Sequence, residues 1–363
     1  MRAVTFHATK DIRVAEAPDP AILSPSDAVV RVTLAGICGS DLHIYNAGDA
    51  FGFEPGQRVG HEFIGVVEAV GDDVRTVAAG DRVLSACMVY DGTCGFCLEG
   101  LPSSCERWSL FGWAPRVWRH GGGVEGGQSE YVRVPLADAT LMPMPEALSG
   151  EEHETTLLPL VDVVSTAWHG LVRGGVKAGD NVVVIGDGAV GLSAVHGAAA
   201  MGAERIVCTG HHEDRLAIAT RLGATAVLAS RDTEEVKQLV LEHTGGDLAH
   251  AVMDSISGPH SMATAQACVR PGGTIACLGM DHFMGKVPEI NWFDQFLRNI
   301  TITGGLVPGG HYLPRLLELV EAGKLDPSPM LTHRLPLEQG PEGYRMMAER
   351  APGVVKVALQ PAA

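Results

Sequence analysis

The chain changes rhythm near residue 160. Up to about residue 155, short segments alternate apolar and polar positions between Gly/Pro turns: "DAVVRVTLAG" (27–36), "EFIGVVEAVG" (62–71), "DRVLSACM" (81–88) and "SEYVRVP" (129–135). A period of two with frequent turn residues predicts half-buried strands of a compact, partly barrel-like β domain. From about residue 163 the period lengthens and alternates with continuous apolar runs. "NVVVIGDG" is followed by "AVGLSAVHGAAAMGA", "ERIVCTG" by "HHEDRLAIATRLGA", and "AHAVMDSI" by "SMATAQACVRPGG" and "TIACLGM". Strand, helix, strand in this order predicts crossovers covering a parallel sheet. The last sixty residues or so add a helix, "YLPRLLELVEAG", and a closing strand, "VVKVAL".

One position breaks the pattern. In "LPLVDVVSTAW" (158–168) a carboxylate, Asp162, stands in an otherwise apolar run. Ionised and alone there it would cost several kcal/mol, roughly. Asp162 therefore calls for a partner.

The bulk numbers narrow the class. At 363 residues the chain has room for two cores, and 46% hydrophobic with 19% charged residues is an ordinary soluble α/β composition. A net charge of −16 repels phosphate backbones, which argues against nucleic acid and anionic membrane as partners. The N-terminus lacks the layout of a secretory signal and no apolar run reaches membrane-spanning length, so a cytoplasmic protein is expected. Its eight cysteines are then thiols or metal ligands rather than a disulfide framework.

"VVVIGDGAVG" places Gly186, Gly188 and Gly191 in G-x-G-x-x-G spacing, with Ala189 and Val190 between the last two, directly after a buried strand and before an Ala-rich helix. Such glycines give a tight turn, close backbone approach to a pyrophosphate and close helix packing, and the helix N-terminus attracts the anion. The end of the next strand selects the cofactor, because an acid there bonds the ribose 2′-OH and repels a 2′-phosphate. Here that strand ends at Gly210, and His211, His212 and Arg215 follow. Three potential cations and no strand-end acid favour NADP(H) over NAD(H). Histidines solvated at a helix start, with NAD as cofactor, are the alternative.

"GICGSDLH" and "VGHE" supply Cys38 and His61, a thiolate and an imidazole suited to zinc. Ser40, Asp41, His43 and Glu62 load the same two turns with groups able to bond a metal, its ligands or a substrate hydroxyl.

Together, "AGICGSDLH", "GHEFIGVVEAVG", "GDRV", "GGQSEYVRVP" and "VVVIGDGAVGLSAVHGAAAMGA" carry a resemblance to the zinc-dependent medium-chain alcohol dehydrogenases over essentially the whole chain. The resemblance implies a GroES-like β-rich catalytic domain at residues 1–162 and 301–363 and a doubly wound (Rossmann) dinucleotide domain at 163–300, with the active site in the cleft between them. The family's third catalytic-zinc ligand, usually cysteine, falls on Asp162. The match is closest to the secondary-alcohol branch, which carries aspartate there in a T-D-x-x-x-T context, although this chain reads "VDVVST". A structural zinc in relatives is held by four cysteines at steps of three, three and eight. Those steps land here on Asp91, Cys94, Cys97 and Cys105, a Cys3Asp set. Cys87 as the fourth ligand, or a lobe without metal, are alternatives.

By the same resemblance Ser40 takes the substrate proton and passes it toward His43, Asp41 orients His61, and Glu62 sits behind the zinc. The expected activity is hydride transfer between NADP(H) and an alcohol, ketone or aldehyde in a homodimer or homotetramer. An NAD-dependent polyol, threonine or formaldehyde dehydrogenase and a non-catalytic dinucleotide-binding protein are the alternatives. Trp108, Phe111 and Trp113 are candidate pocket walls, and Lys356 is either near the cofactor or an ordinary surface lysine.

Overall fold

A computed structural model describes residues 1–113, 124–281, 285 and 287–362. The chain divides into two compact units, one of Met1–Asp162 with Pro308–Ala363 and the other of Val163–Val307.

The first unit is built on a seven-stranded mixed sheet whose central strand, Ala28–Ile37, pairs along one edge with Glu62–Val70. Along its other edge it pairs with Tyr131–Val134 and with Val357–Gln360. Ten residues of alternating small and β-branched character let this strand serve three neighbours, and two register shifts against Glu62–Val70 bend it. Its inward side chains, among them Val30, Val32 and Ala35, join Phe63, Val67, Phe111 and Val132 in one apolar cluster.

Phe111 lies in that cluster with its ring edge-on to Phe63 at 5.1 Å, and Trp113 is buried against Phe53 at 6.3 Å. Trp108 is buried as well, its indole N–H directed at Met88 sulfur 3.1 Å away. All three aromatics expected as pocket walls are thus buried in the β unit. Their large rings are most stabilising where little water reaches them.

The second unit carries six parallel strands in the order Ala226–Ala229, Arg205–Gly210, Asn181–Ile185, Ala249–Asp254, Val269–Cys277, Thr301–Gly304. Numbered along the chain this is 3-2-1-4-5-6, the order of a doubly wound dinucleotide fold. Strands buried on both faces need the continuous apolar runs seen in the sequence, and Val183, Val207, Val252 and Ile275 make the core beneath the helices. The sixth strand, Thr301–Gly304, completes this sheet and carries the unit to Val307, beyond the boundary expected at residue 300. Among the described residues no helix is long and apolar enough to cross a membrane.

Candidate active site and cofactor loop

Antiparallel register assembles the metal-binding candidates. Gly36 pairs with Glu62, so Cys38 and His61, just beyond the two strand ends, come side by side. Asp162 reaches them from the end of a short, fully buried 3-10 turn, Leu158–Val161. The Sγ of Cys38 and the Nε2 of His61 each lie 3.2 Å from Asp162 Oδ2. With Glu62, one ligand atom from each of the four side chains lies within 4.8 Å of the others, and all four residues are buried.

These separations fit a zinc ion. Tetrahedral zinc with bonds of 2.0–2.3 Å sets neighbouring ligand atoms roughly 3.3–3.8 Å apart. The observed neighbours of Asp162 are the Cys38 thiol and the His61 ring, a set able to share a cation.

Asp41 fixes the imidazole. Its Oδ1 is 3.1 Å from His61 Nδ1, while Oδ2 accepts the Cys38 N–H at 2.9 Å and a Gln128 amide N–H at 3.1 Å. With Nδ1 turned toward that carboxylate, Nε2 is the ring nitrogen that faces Cys38 and Asp162. Gln128 is held in turn by the Tyr344 hydroxyl, which donates to its carbonyl at 2.9 Å.

Charge in this buried space partitions unevenly. Burial pushes the Cys38 thiol up to about 12, with the charges of Asp162 and Glu62 adding to the effect. Burial alone would lower His61, but the Asp41 charge and bonds to Asp162 and Asp41 outweigh it and raise it. Burial works to raise Asp162 as well, yet the His61 bond and the charges of His61 and Lys356 hold it below the usual carboxylate range.

Lys356 is neither on the surface nor a bystander. It is 1% exposed, and its Nζ sits 2.5 Å from the Oε2 of Glu62, whose side chain is fully buried. Register explains the meeting, since Val357 pairs with Ile37 on the strand whose Gly36 faces Glu62. A side chain at residue 36 has no room: an added Cβ would lie 2.1 Å from Glu62 Oε2. The sequence signal for Lys356 was its apolar neighbours on both sides in "VVKVAL", the mark of a strand covered on both faces.

Ser40 begins the helix Asp41–Ala47 but makes no capping bond with its side chain. Its hydroxyl instead lies 3.2 Å from His61 Nε2. His43 is half-buried one helical turn further on.

A second cluster lies in the loop region around the short helix Gly95–Leu98. Ligand atoms of Asp91, Cys94, Cys97 and Cys105 lie within 4.8 Å of one another. Asp91 Oδ1 accepts the N–H groups of Thr93 and Cys94 at 2.8 and 2.9 Å, and Cys105 sulfur accepts those of Asp91 and Arg107. Backbone donors aimed at a carboxylate and a sulfur stabilise their anionic forms, the forms that bind zinc. Cys87 does not belong to this cluster. It is buried, and the charges that act on it are those of Asp162, His61, Glu62 and Cys38. Replacing Cys105 by serine is expected to lower bound zinc by one ion per chain and leave the other in place, a result that elemental analysis reads directly.

In the second unit the glycine loop has the shape the spacing predicts. Gly186 takes φ +112°, and a Cβ on Gly191 would lie 1.9 Å from the Gly186 carbonyl oxygen, so helix and loop touch backbone to backbone. No atom lies within 4 Å of the Cβ position of Gly188, at the N-terminus of the helix Ala189–Ala200. That opening at a helix N-terminus fits a pyrophosphate.

The cations expected at the strand end are placed otherwise. Asp187, the residue between the first two glycines, is 7% exposed and lies 3.0 Å from His212 Nδ1 and 3.7 Å from Arg215 Nη1. His211 instead accepts a hydrogen bond at Nε2 from Arg231 Nε, at 3.1 Å. Two of the three side chains counted for a 2′-phosphate thus face a carboxylate of the chain itself. An acid within a glycine loop was the signal in "GDG".

Family models match both halves of the chain: an alcohol dehydrogenase GroES-like domain over residues 24–146 and a zinc-binding dehydrogenase domain over 189–322. The zinc-type alcohol dehydrogenase-like protein AdhB of Bacillus subtilis is 33% identical over 99% of this chain and 100% of its own length. The chain belongs to the zinc-dependent medium-chain alcohol dehydrogenase family. Alcohol dehydrogenase TADH from Thermus sp. ATN1 superposes on this dehydrogenase with a TM-score of 0.91, at 33% identity and full coverage of both chains. An NADP-dependent isopropanol dehydrogenase of Entamoeba histolytica is 31% identical over 92% of the chain and 88% of its own length. The enzyme is accordingly an alcohol dehydrogenase-like oxidoreductase of the zinc-dependent family, built from a GroES-like domain and a Rossmann domain.

Proposed function

We propose that this enzyme transfers a hydride between a nicotinamide dinucleotide and a small alcohol, a secondary alcohol by preference, with the corresponding ketone or aldehyde as substrate in the reverse direction. The convergence of Cys38, His61 and Asp162 on one small buried volume carries this reading. Three protein ligands of mixed S, N and O character leave a position for a substrate oxygen. Zinc held there would supply a Lewis acid that polarises that oxygen and eases loss of its proton.

The chain's own residues do the rest. Asp41 holds His61 in the tautomer that can ligate. Ser40, with its hydroxyl beside His61, accepts the substrate proton and passes it toward His43 and solvent. Glu62, tied to Lys356, stays behind the ligand set as a fixed negative charge. In the other unit Gly186, Gly188 and Gly191 receive the pyrophosphate. The Cys3Asp cluster would hold a second zinc that cross-links its loop without touching the chemistry.

The isopropanol dehydrogenase relative supports a secondary alcohol and shows NADP in use within this architecture. The sequence favours NADP(H) here too, but His212 and Arg215 face Asp187 and are not free for a 2′-phosphate. Self-association into a dimer or tetramer is part of the proposal, supported by exposed Trp292, Phe293 and Phe296 on one short helix.

The test is a steady-state panel on the zinc-loaded protein: secondary alcohols, ketones and aldehydes against polyols, threonine and formaldehyde, each with both cofactors. Secondary alcohols and ketones are expected to turn over best, and chelation is expected to abolish turnover until zinc is restored. Undiminished turnover after complete zinc removal would defeat the proposal. Tight dinucleotide binding without turnover of any substrate would favour the non-catalytic alternative.

A further inference from the structure

We propose that Asp187 selects the cofactor, favouring NAD(H) over NADP(H) by placing its carboxylate where a strand-end acid would otherwise stand. The inference rests on the reading that a nicotinamide dinucleotide occupies the Gly186–Gly191 loop.

Three observations meet at this residue. The first concerns position. Residue 210 ends the second strand of the parallel sheet, the place from which an acidic side chain bonds the ribose 2′-OH in NAD-selective sites. Residue 210 is glycine, and a Cβ added there would lie 2.3 Å from Asp187 Oδ2 and 2.5 Å from Asp187 Cβ. The direction in which a strand-end side chain would project is therefore already filled by a carboxylate, delivered from the neighbouring glycine loop. Glycine at 210 is what makes room for it.

The second concerns donors. The N–H groups of His211 and His212, just before the helix Glu213–Arg221, both point at Asp187 Oδ2, at 2.6 and 2.8 Å. Backbone N–H groups at a helix start are the natural seat of a phosphate. Here an anion of the chain holds that seat, so a 2′-phosphate meets a negative charge in place of two donors.

The third concerns compensation. His212 Nδ1 and Arg215 Nη1 lie against Asp187, at 3.0 and 3.7 Å, and are turned toward this carboxylate. Oδ1 has longer contacts among the described residues, 3.2 Å to His212 and 3.7 Å to Arg215. It can accept a ribose hydroxyl.

The measurement is calorimetric binding of NADH and of NADPH to the zinc-loaded full chain, without substrate. Wild type is expected to bind NADH more tightly by roughly tenfold or more, as for sites that reject a ligand by unpaired or like charge. Asp187→Asn, which keeps an acceptor for the two N–H groups but loses the charge, is expected to narrow that ratio. Asp187→Ala, which also frees both donors, is expected to narrow it further. If the alanine variant does not fold, the wild-type ratio and the asparagine variant decide the matter. Tighter binding of NADPH by wild type, lost in Arg231→Ala, would place the phosphate on the His211–Arg231 edge and overturn the inference. An unchanged ratio in both Asp187 variants would overturn it as well. Failure of wild type to bind either dinucleotide would overturn the cofactor reading itself, a distinct result.

Discussion

Asp162→Ala is expected to lose the catalytic zinc and to retain less than roughly a thousandth of wild-type turnover, while the zinc of the Cys94 loop stays bound. The reason is geometric. Both Cys38 sulfur and His61 Nε2 approach Asp162 Oδ2 at 3.2 Å, so its removal leaves two ligands at a site that needs three. Alanine also removes a buried charge from the apolar run, and the fold is checked by circular dichroism on the same preparation. Asp162→Cys is the informative companion, because a thiolate is an equally good zinc ligand. It is expected to keep the metal and a substantial part of the activity. Elemental analysis and kcat on the same preparations check both variants, and an alanine variant with undiminished zinc and activity would show that the ligand set is wrong.

Lys356→Met is expected to destabilise the first unit by about 3–5 kcal/mol, the usual consequence of removing one partner of a buried ion pair. Glu62 is fully buried 2.5 Å from the ammonium group and shares its surroundings with Asp162, another carboxylate. Burial raises the Glu62 carboxyl and the Lys356 charge opposes that shift, so loss of the cation drives Glu62 toward its protonated form. The Lys356→Met, Glu62→Leu double variant removes both charges and is expected to recover most of the stability, since buried pairs replaced by apolar residues are often neutral. Urea denaturation of the four proteins measures the coupling. A single variant as stable as wild type would mean that Lys356 and Glu62 are not paired.

Much of the site was legible because its chemistry sits in short local motifs. Cys38 with Ser40 and Asp41, His61 with Glu62, and the three glycines each lie within a few residues of one another. Asp162 announced itself as a lone acid in an apolar run. What sequence could not supply was register. That Gly36 lies opposite Glu62, and Val357 beside Ile37, is a long-range fact, and it turns Lys356 from a candidate surface residue into the buried partner of Glu62. The surroundings of Phe111 and Trp113 are long-range in the same way. Their partners, Phe63 and Phe53, lie about fifty and about sixty residues away along the chain, and nothing local distinguishes a core aromatic from one lining a pocket. The cations after Gly210 were counted correctly but not their neighbour, because Asp187 meets them only when two parallel strands bring two loops together.

The most direct measurement is anomalous scattering at the zinc edge from crystals of the zinc-loaded protein. The predicted result is a peak about 2.3 Å from Cys38 Sγ and about 2.0–2.2 Å from both His61 Nε2 and an Asp162 oxygen. The absence of a peak there, or one that leaves any of these three atoms outside bonding distance, would contradict the proposed metal centre and the hydride chemistry built on it.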